Sequence, residues 1–446
     1  MGVKVIQNIS NKIECYHTRN KIPENYYEFS PTSVFLSGKN LLSYNLDKSV
    51  NQLSSNFSFT LRDINSDFFN KVETLDVIKI YPDFSKSDFF LGVITDIGYS
   101  ASATGQRVVN IKGKSIFWLF EYLNLTLDVT AMAVLGDEKV KDEINKAQKL
   151  NLNKESISIK SAFEDVFESF KNLAGGNLGN PFIIDVIDAW FGSDIFDIEP
   201  SLTFNYPITN NIYSNSVVNF ISFMKGLLPE EVYEIYGVIK DGKPRIKVRE
   251  VPFSPIKWTA LQPTRKIEPL EVKNYNVNRS IQNVYTVFYS FLQGSVIDSD
   301  LYKKATATTE GYKNAEISEK VKKYGYKPLN VNFVGFPQEL ANDNNVSNTI
   351  VEKFKLLSDL LKSYYENIDE MYNGTIATIL LNDKSIPEVG TVIKFLNGEF
   401  YLNSLNISWR YGNPTLVNYN CSRGGKYLSG KFKRLDNITK DYQEFA

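Results

Sequence analysis

The sequence predicts a mainly β fold with α+β insertions: two similar antiparallel β-barrel domains, with mixed α/β and helical segments placed between and within them. Three observations carry this. Val77–Gly113 (VIKIYPDFSKSDFFLGVITDIGYSASATGQRVVNIKG) reads as three strands joined by two hairpins. Val392–Gly424 (VIKFLNGEFYLNSLNISWRYGNPTLVNYNCSRG) repeats the pattern near the other end of the chain. Long helix-patterned stretches separate the two. Val77-Ile78-Lys79 matches Val392-Ile393-Lys394, Asp88–Leu91 matches Glu399–Leu402, and Val109-Asn110 matches Val417-Asn418. Glu73 and Glu388 each stand four residues ahead of their unit. Such a separation is far too long for a solenoid period, so one β domain is used twice with other material inserted.

At 446 residues the chain is long enough for two to four domains with a substantial core. With 50 basic against 51 acidic residues it lacks the basic excess of a dedicated nucleic-acid binder. Two cysteines, Cys15 and Cys421, do not make a disulfide framework, and a reduced compartment is expected. The opening MGVKVIQNISNK has no apolar signal-peptide core, Ile6 stands where a myristoylation motif needs Ser or Thr, and no apolar run approaches a membrane span.

In chain order, residues 1–29 hold one strand-like run, Val3–Ile6, and form an arm or edge element. Residues 30–125 form the first β-barrel domain: Ser33–Leu36, the alternating Phe57–Leu61, and the three strands of the opening stretch. Ser115–Leu123 reads as a short helix plugging one end of that barrel. Residues 126–265 form an inserted mixed α/β domain. Within it, Ala162, Val166 and Phe170 have helical spacing, Val217–Leu228 reads as an amphipathic helix, and Val232–Lys240 with Arg245–Val251 forms a hairpin around Asp241-Gly242. Residues 266–300 and 374–434 form the second β-barrel domain, with Val272–Asn276, Asn283–Leu292 and Thr375–Leu381 as strands. Residues 301–373 are an insertion ending in a helix over 346–372, with Ile350, Phe354, Leu357, Leu361 and Tyr364 on one face and Asn373-Gly374 as its stop. Residues 435–446 form a polar tail.

No catalytic, cofactor or metal constellation emerges. His17, the single histidine, removes multi-His metal sites and reads as a surface residue. Gly113-Lys114-Ser115 ends like a phosphate-binding loop, but Val108 stands where the motif needs glycine. Cys421 has no base partner and reads as a buried structural thiol. Glu164-Asp165 and Asp185/Asp188 have no spacing that sets them apart from solvated helix faces, and Lys303–Lys327 reads as a solvated or interface surface.

The ordered set Phe57-Ser58-Phe59, VIKI, FFLGVITDI, a polar turn, VVNIKGKS and the terminal Ser422-Arg423-Gly424 resembles the phage baseplate hub proteins of contractile tails, the gp27-like or late control D-like family. The resemblance covers about 50–125 and 375–425. It implies two tube-like barrels per chain and a homotrimeric ring that imitates a hexameric tail-tube ring. One face of that ring would join the tube and the other seat a trimeric central spike, with other baseplate or tape-measure proteins as further contacts. It implies no enzyme activity, and DNA only as passing cargo, with which the near-neutral charge is compatible. Such a protein is made in the bacterial cytoplasm and assembled into a virion or a tail-like bacteriocin. The rival expectation is a carbohydrate- or receptor-binding β protein.

Overall fold

The computed structural model describes residues 11–16, 26–29, 40–62, 72–82, 90–101, 107–126, 157–175, 181–199, 202–204, 217–292, 315–333, 350–381, 384–428 and 431–433. His17, Val3–Ile6, Ser33–Leu36, 137–156 and 303–314 lie outside them.

The chain is mainly β. Strands β1 (Lys12–Tyr16), β2 (Tyr26–Phe29), β3 (Asn40–Ser49), β4 (Asn56–Arg62), β5 (Val77–Tyr81), β6 (Phe90–Ala101) and β7 (Arg107–Ser115) open it. A 3-10 turn, Ile116–Tyr122, follows. The inserted region holds β8 (Asn124–Thr126), β9 (Ile157–Ser158), α1 (Ile159–Gly175), α2 (Pro181–Phe191), β10 (Phe196–Ile198), β11 (Thr203–Phe204), β12 (Val217–Asn219), α3 (Phe220–Leu227), β13 (Tyr233–Lys240), β14 (Lys243–Glu250) and α4 (Pro255–Ala260). Then come β15 (Arg265–Lys266), β16 (Val272–Asn278), β17 (Val287–Leu292), β18 (Ala315–Glu316), α5 (Ser318–Tyr324), β19 (Pro328–Phe333) and α6 (Ile350–Tyr365). The chain closes with β20 (Tyr372–Ile379), β21 (Val392–Phe395), β22 (Gly398–Arg410), β23 (Leu416–Leu428) and β24 (Lys431–Lys433).

Both β units belong to one 14-stranded sheet, ordered β16-β20-β23-β22-β3-β4-β7-β6-β5-β1-β2. The first unit is β3-β4-β7-β6 and the second β16-β20-β23-β22, each four strands in the same order of connection. They are joined where β22 pairs antiparallel with β3. Apolar residues alternate along these strands, as Phe57, Phe59 and Leu61 do along β4, and their side of the sheet buries one core with Leu46, Ile111, Ile376, Ile407 and Val417.

A second core holds the inserted region. There Phe220 sits among Phe120, Phe163, Phe167, Phe170, Phe196 and Phe223, with ring centroids 5.4–6.5 Å away. Ala162, Val166 and Phe170 of α1 all face this core, as their spacing predicts. The hairpin β13–β14 turns at Asp241-Gly242, whose φ values of 52° and 74° are those of a two-residue primed turn.

Several expectations are corrected. The segment 1–29 is an edge element, but the stretch expected to be polar and strand-free holds β1 and β2, which extend the main sheet beyond β5; the Lys12–Tyr16 run hides its strand character behind a buried glutamate, Glu14. The 3-10 turn packs into the core of the inserted region, against Phe191 and Phe220. The helix at Val217 begins only at Phe220, because Asn219 caps it by accepting from the Ser222 N–H at 2.8 Å. The helix expected over 346–372 is described as Ile350–Tyr365, and Asn373-Gly374 lies in β20 instead of stopping it. Gly374 serves close strand approach, since a Cβ there would overlap the Asn276 carbonyl. Val287–Leu292 joins β18 and β19 in a separate three-stranded sheet; its apolar run suits a strand buried on both faces.

Candidate assembly surface

The two units correspond residue for residue. In the first, Leu41 pairs with Leu61, the ladder slips at Leu42, and Ser43, Tyr44, Asn45 and Leu46 pair with Thr60, Phe59, Ser58 and Phe57. In the second, Val272 pairs with Thr378, the ladder slips at Lys273, and Asn274, Tyr275, Asn276 and Val277 pair with Ala377, Ile376, Thr375 and Gly374. On the other side, β6 and β7 slip at Thr95, between Ile94↔Gly113 and Asp96↔Lys112. β22 and β23 slip at Asn403, between Leu402↔Cys421 and Ser404↔Asn420. A bulge re-aims a strand at a chosen place, so two bulges at matching positions mark one architecture built twice.

This fixes the true correspondence. Val77 matches Val392 and Val109-Asn110 matches Val417-Asn418, as the sequence indicates. The match of Asp88–Leu91 to Glu399–Leu402 is out of register: Val93 pairs with Val77 as Tyr401 pairs with Val392, so Val93 corresponds to Tyr401. Gly92 then corresponds to Phe400, and Phe57 to Gly374. Phe57 covers Gly92 and Gly113 in one unit, and Phe400 covers Gly424 in the other, so a single ring fills this part of each core from opposite strands. The strongest echo in the sequence, Tyr44-Asn45 with Lys48-Ser49 against Tyr275-Asn276 with Arg279-Ser280, lies outside the stretches first matched.

The seam between units sets Ser404–Arg410 against Ser49–Ser43. On the core face, Ile407 meets Leu46 and Trp409 meets Tyr44, all at most 5% exposed. On the opposite face, the Asn406 amide donates to Asn45 Oδ1 at 2.9 Å and Asp47 Oδ1 at 2.7 Å. Asn418 donates to Asn406 at 3.5 Å, and Thr60 to Asn110 at 2.9 Å. At the seam this face presents amides and hydroxyls around Asp47.

A buried ionic group ties the β13–β14 hairpin to the second unit. Arg249 donates to Glu234 at 2.9 Å and to the Tyr401 hydroxyl at 3.0 Å, and also to the Gly390 carbonyl. Tyr401 donates to Glu234 in turn. Burial pushes the Glu234 carboxyl up, against the pull of Arg249. Arg423 lies 3.6 Å above the Phe253 ring, and burial lowers its guanidinium to about 10.

The residues weighed for chemistry are scattered. Gly113 is packed under Phe57 in an antiparallel strand. Cys421 and Cys15 are buried, free thiols whose pKa burial raises, with Asp76 adding to the effect at Cys15. Glu164 pairs with Lys160 and Asp188 with Lys171 on α1 and α2, both acids about half exposed. Within the described part of Lys303–Lys327, Lys320 pairs with Asp369. Among the described residues no cluster of three metal-ligating side chains occurs and no helix is long and apolar enough to cross a membrane.

No family model and no curated protein matches the chain. Solved structures do. The tail protein from Neisseria meningitidis MC58 matches with a TM-score of 0.51 at 8% identity, over 92% of this chain and 96% of that one. The 43 kDa tail protein of prophage MuSo2 from Shewanella oneidensis matches with a TM-score of 0.46 at 9% identity, over 93% and 97%. An E. coli component of the type VI secretion system, described as structurally similar to the T4 bacteriophage tail proteins gp27 and gp5, matches with a TM-score of 0.42 at 8% identity, over 89% and 76%. The class of the fold follows from the first of these: the chain shares the fold of that tail protein.

Proposed function

We propose that this chain is the structural baseplate hub of a contractile tail or tail-like particle, not an enzyme. Three copies form a ring in which two β units per chain give six similar walls. One face of the ring meets the hexameric tail tube, and the other seats the trimeric central spike. The observation that carries this is the in-register duplication with its shared bulges, inside a tail-protein fold. A chain that repeats one wall reconciles threefold and sixfold partners, because each copy supplies two near-equivalent positions. The domain division 30–125, then 266–300 with 374–434, belongs to the same proposal, with β17 assigned to its own small sheet.

The amide and hydroxyl face of the sheet lines the lumen in this reading. Neutral hydrogen-bonding groups let a polyanion pass without the phosphate contacts that a basic wall would make. The chain is made in the bacterial cytoplasm and becomes part of the particle.

The test is the mass of the full chain in solution, alone and with the tube and spike proteins of its own particle. Three times 50.9 kDa, or a complex containing three copies, is expected. A strict monomer under both conditions overturns the proposal.

A further inference from the structure

Asn11 stands at the entry to β1. Asn11, Ile13 and Cys15 alternate along this run toward the core of the main sheet, and all three are 0% exposed. An asparagine thus holds a position where the pattern asks for an apolar side chain. Burying an amide is costly unless its donors and its acceptor are used, and here they are. The Asn11 amide nitrogen donates to the Pro82 carbonyl at 2.7 Å and to the Tyr44 hydroxyl at 2.9 Å, and its oxygen accepts from Trp409 Nε1 at 3.1 Å. The Tyr44 hydroxyl donates to the same Pro82 carbonyl. Tyr44 lies on β3 and Pro82 follows β5, both in the first unit, while Trp409 lies on β22 of the second.

This contact is not part of the duplicated unit. β1 runs antiparallel beside β5, whereas the strand beside β21 is β15 and runs parallel to it. Where the second unit has Trp409, the first has Ala101. The arrangement therefore serves the join between the units and neither unit by itself. We infer that β1 is a strap that closes over the seam, with Asn11 as its clasp: the strand docks in full only when Trp409 has brought the second unit against the first. The inference concerns a single chain and stands apart from the ring reading.

The chemistry gives the clasp two states. With β22 seated on β3, the buried amide, the indole and the tyrosine form one connected network, and such a network fixes a single arrangement. With β22 away, the Asn11 oxygen and the Trp409 indole N–H lose each other, and the entry to β1 has to reach water to recover a partner. The two halves of the clasp come from opposite ends of the chain, so β1 responds to the last strands of the fold. A packing role and a clasp predict opposite outcomes at position 11. Leucine suits an apolar core site, so a residue that only filled space would tolerate Asn11→Leu. A clasp does not tolerate it, because the indole N–H then loses its acceptor inside the core.

Hydrogen exchange of the full chain, read by mass spectrometry, tests the strap. In Asn11→Leu, peptides from Lys12–Tyr16 and from the seam strands, Ser43–Ser49 and Ser404–Arg410, are expected to exchange roughly ten- to a hundredfold faster, with Ile159–Gly175 in the second core unchanged. Trp409→Phe keeps a ring beside Tyr44 but removes the indole N–H, and it is expected to loosen Lys12–Tyr16 from the far end of the chain. The double variant is expected to be no looser than either single one, since both remove the same bond. Wild-type exchange of Lys12–Tyr16 in Trp409→Phe overturns the strap. So does an unchanged seam in Asn11→Leu, or an acceleration of equal size in every peptide. If Asn11→Leu fails to fold, the conservative Trp409→Phe decides the question alone.

Discussion

Tyr44 and Trp409 stack across the seam between the two β units, with ring centroids 5.8 Å apart and planes 24° from parallel. They come from opposite ends of the chain, and the Tyr44 hydroxyl also donates to the Pro82 carbonyl at 3.1 Å. Trp409→Ala removes a buried aromatic from the seam where β22 joins β3. A loss of about 3–5 kcal/mol is expected for such a truncation, read as a shift in the urea midpoint. A loss below about 1 kcal/mol would show that the seam does not depend on this pair.

Glu14 makes the first unit sensitive to acid. Burial raises its carboxyl, but donation from Lys12 at 2.6 Å, Tyr16 at 2.7 Å and Tyr81 at 2.9 Å outweighs burial and leaves it below the ordinary 4.5. A lowered carboxylate contributes stability above its unfolded value, and that contribution fades as pH falls through the folded value. Melting of the wild type is therefore expected to drop below pH 4.5 more steeply than melting of Glu14→Gln. Parallel curves would assign the acid sensitivity elsewhere.

Arg249→Met leaves the Glu234 carboxyl buried without its guanidinium. Breaking such a pair from one side costs about 3–5 kcal/mol, and Glu234→Gln added to it recovers part of the loss. The pH sign is opposite to that of Glu14. A carboxyl raised by burial favours the fold when protonated, and this contribution is lost as pH rises through the folded value. The deficit of Arg249→Met is expected to shrink on acidification, measured by denaturation at a series of pH values.

Cys15 and Cys421 are buried thiols whose pKa burial raises. Thiol reagents attack the thiolate, so both are expected to label only after denaturation. Stoichiometric labelling of the native chain at neutral pH would contradict their structural role.

Much of the β architecture was legible in the residues. Alternation along Phe57–Leu61, the Asp241-Gly242 turn and the Val77/Val392 echo each reflect a local preference, and each is present. β1 was hidden, because the three donors that accommodate Glu14 include Tyr81, which is remote in sequence. α6 was overextended, because Asn373-Gly374 has the composition of a helix stop, while here Gly374 makes room for β16.

The sequence by itself determined that one β unit occurs twice and that helices are inserted between its strands. Only the tertiary structure decided how the copies align. The ring that covers the glycines of each unit moved from β4 to β22, and Phe57 with Gly92 became Gly374 with Phe400, so a match of letters slips while the backbone ladders agree. It also decided that the two units share one sheet through β22 and β3. Strand pairing is made by backbone groups that every residue carries, so the choice of neighbour rests on packing between distant segments.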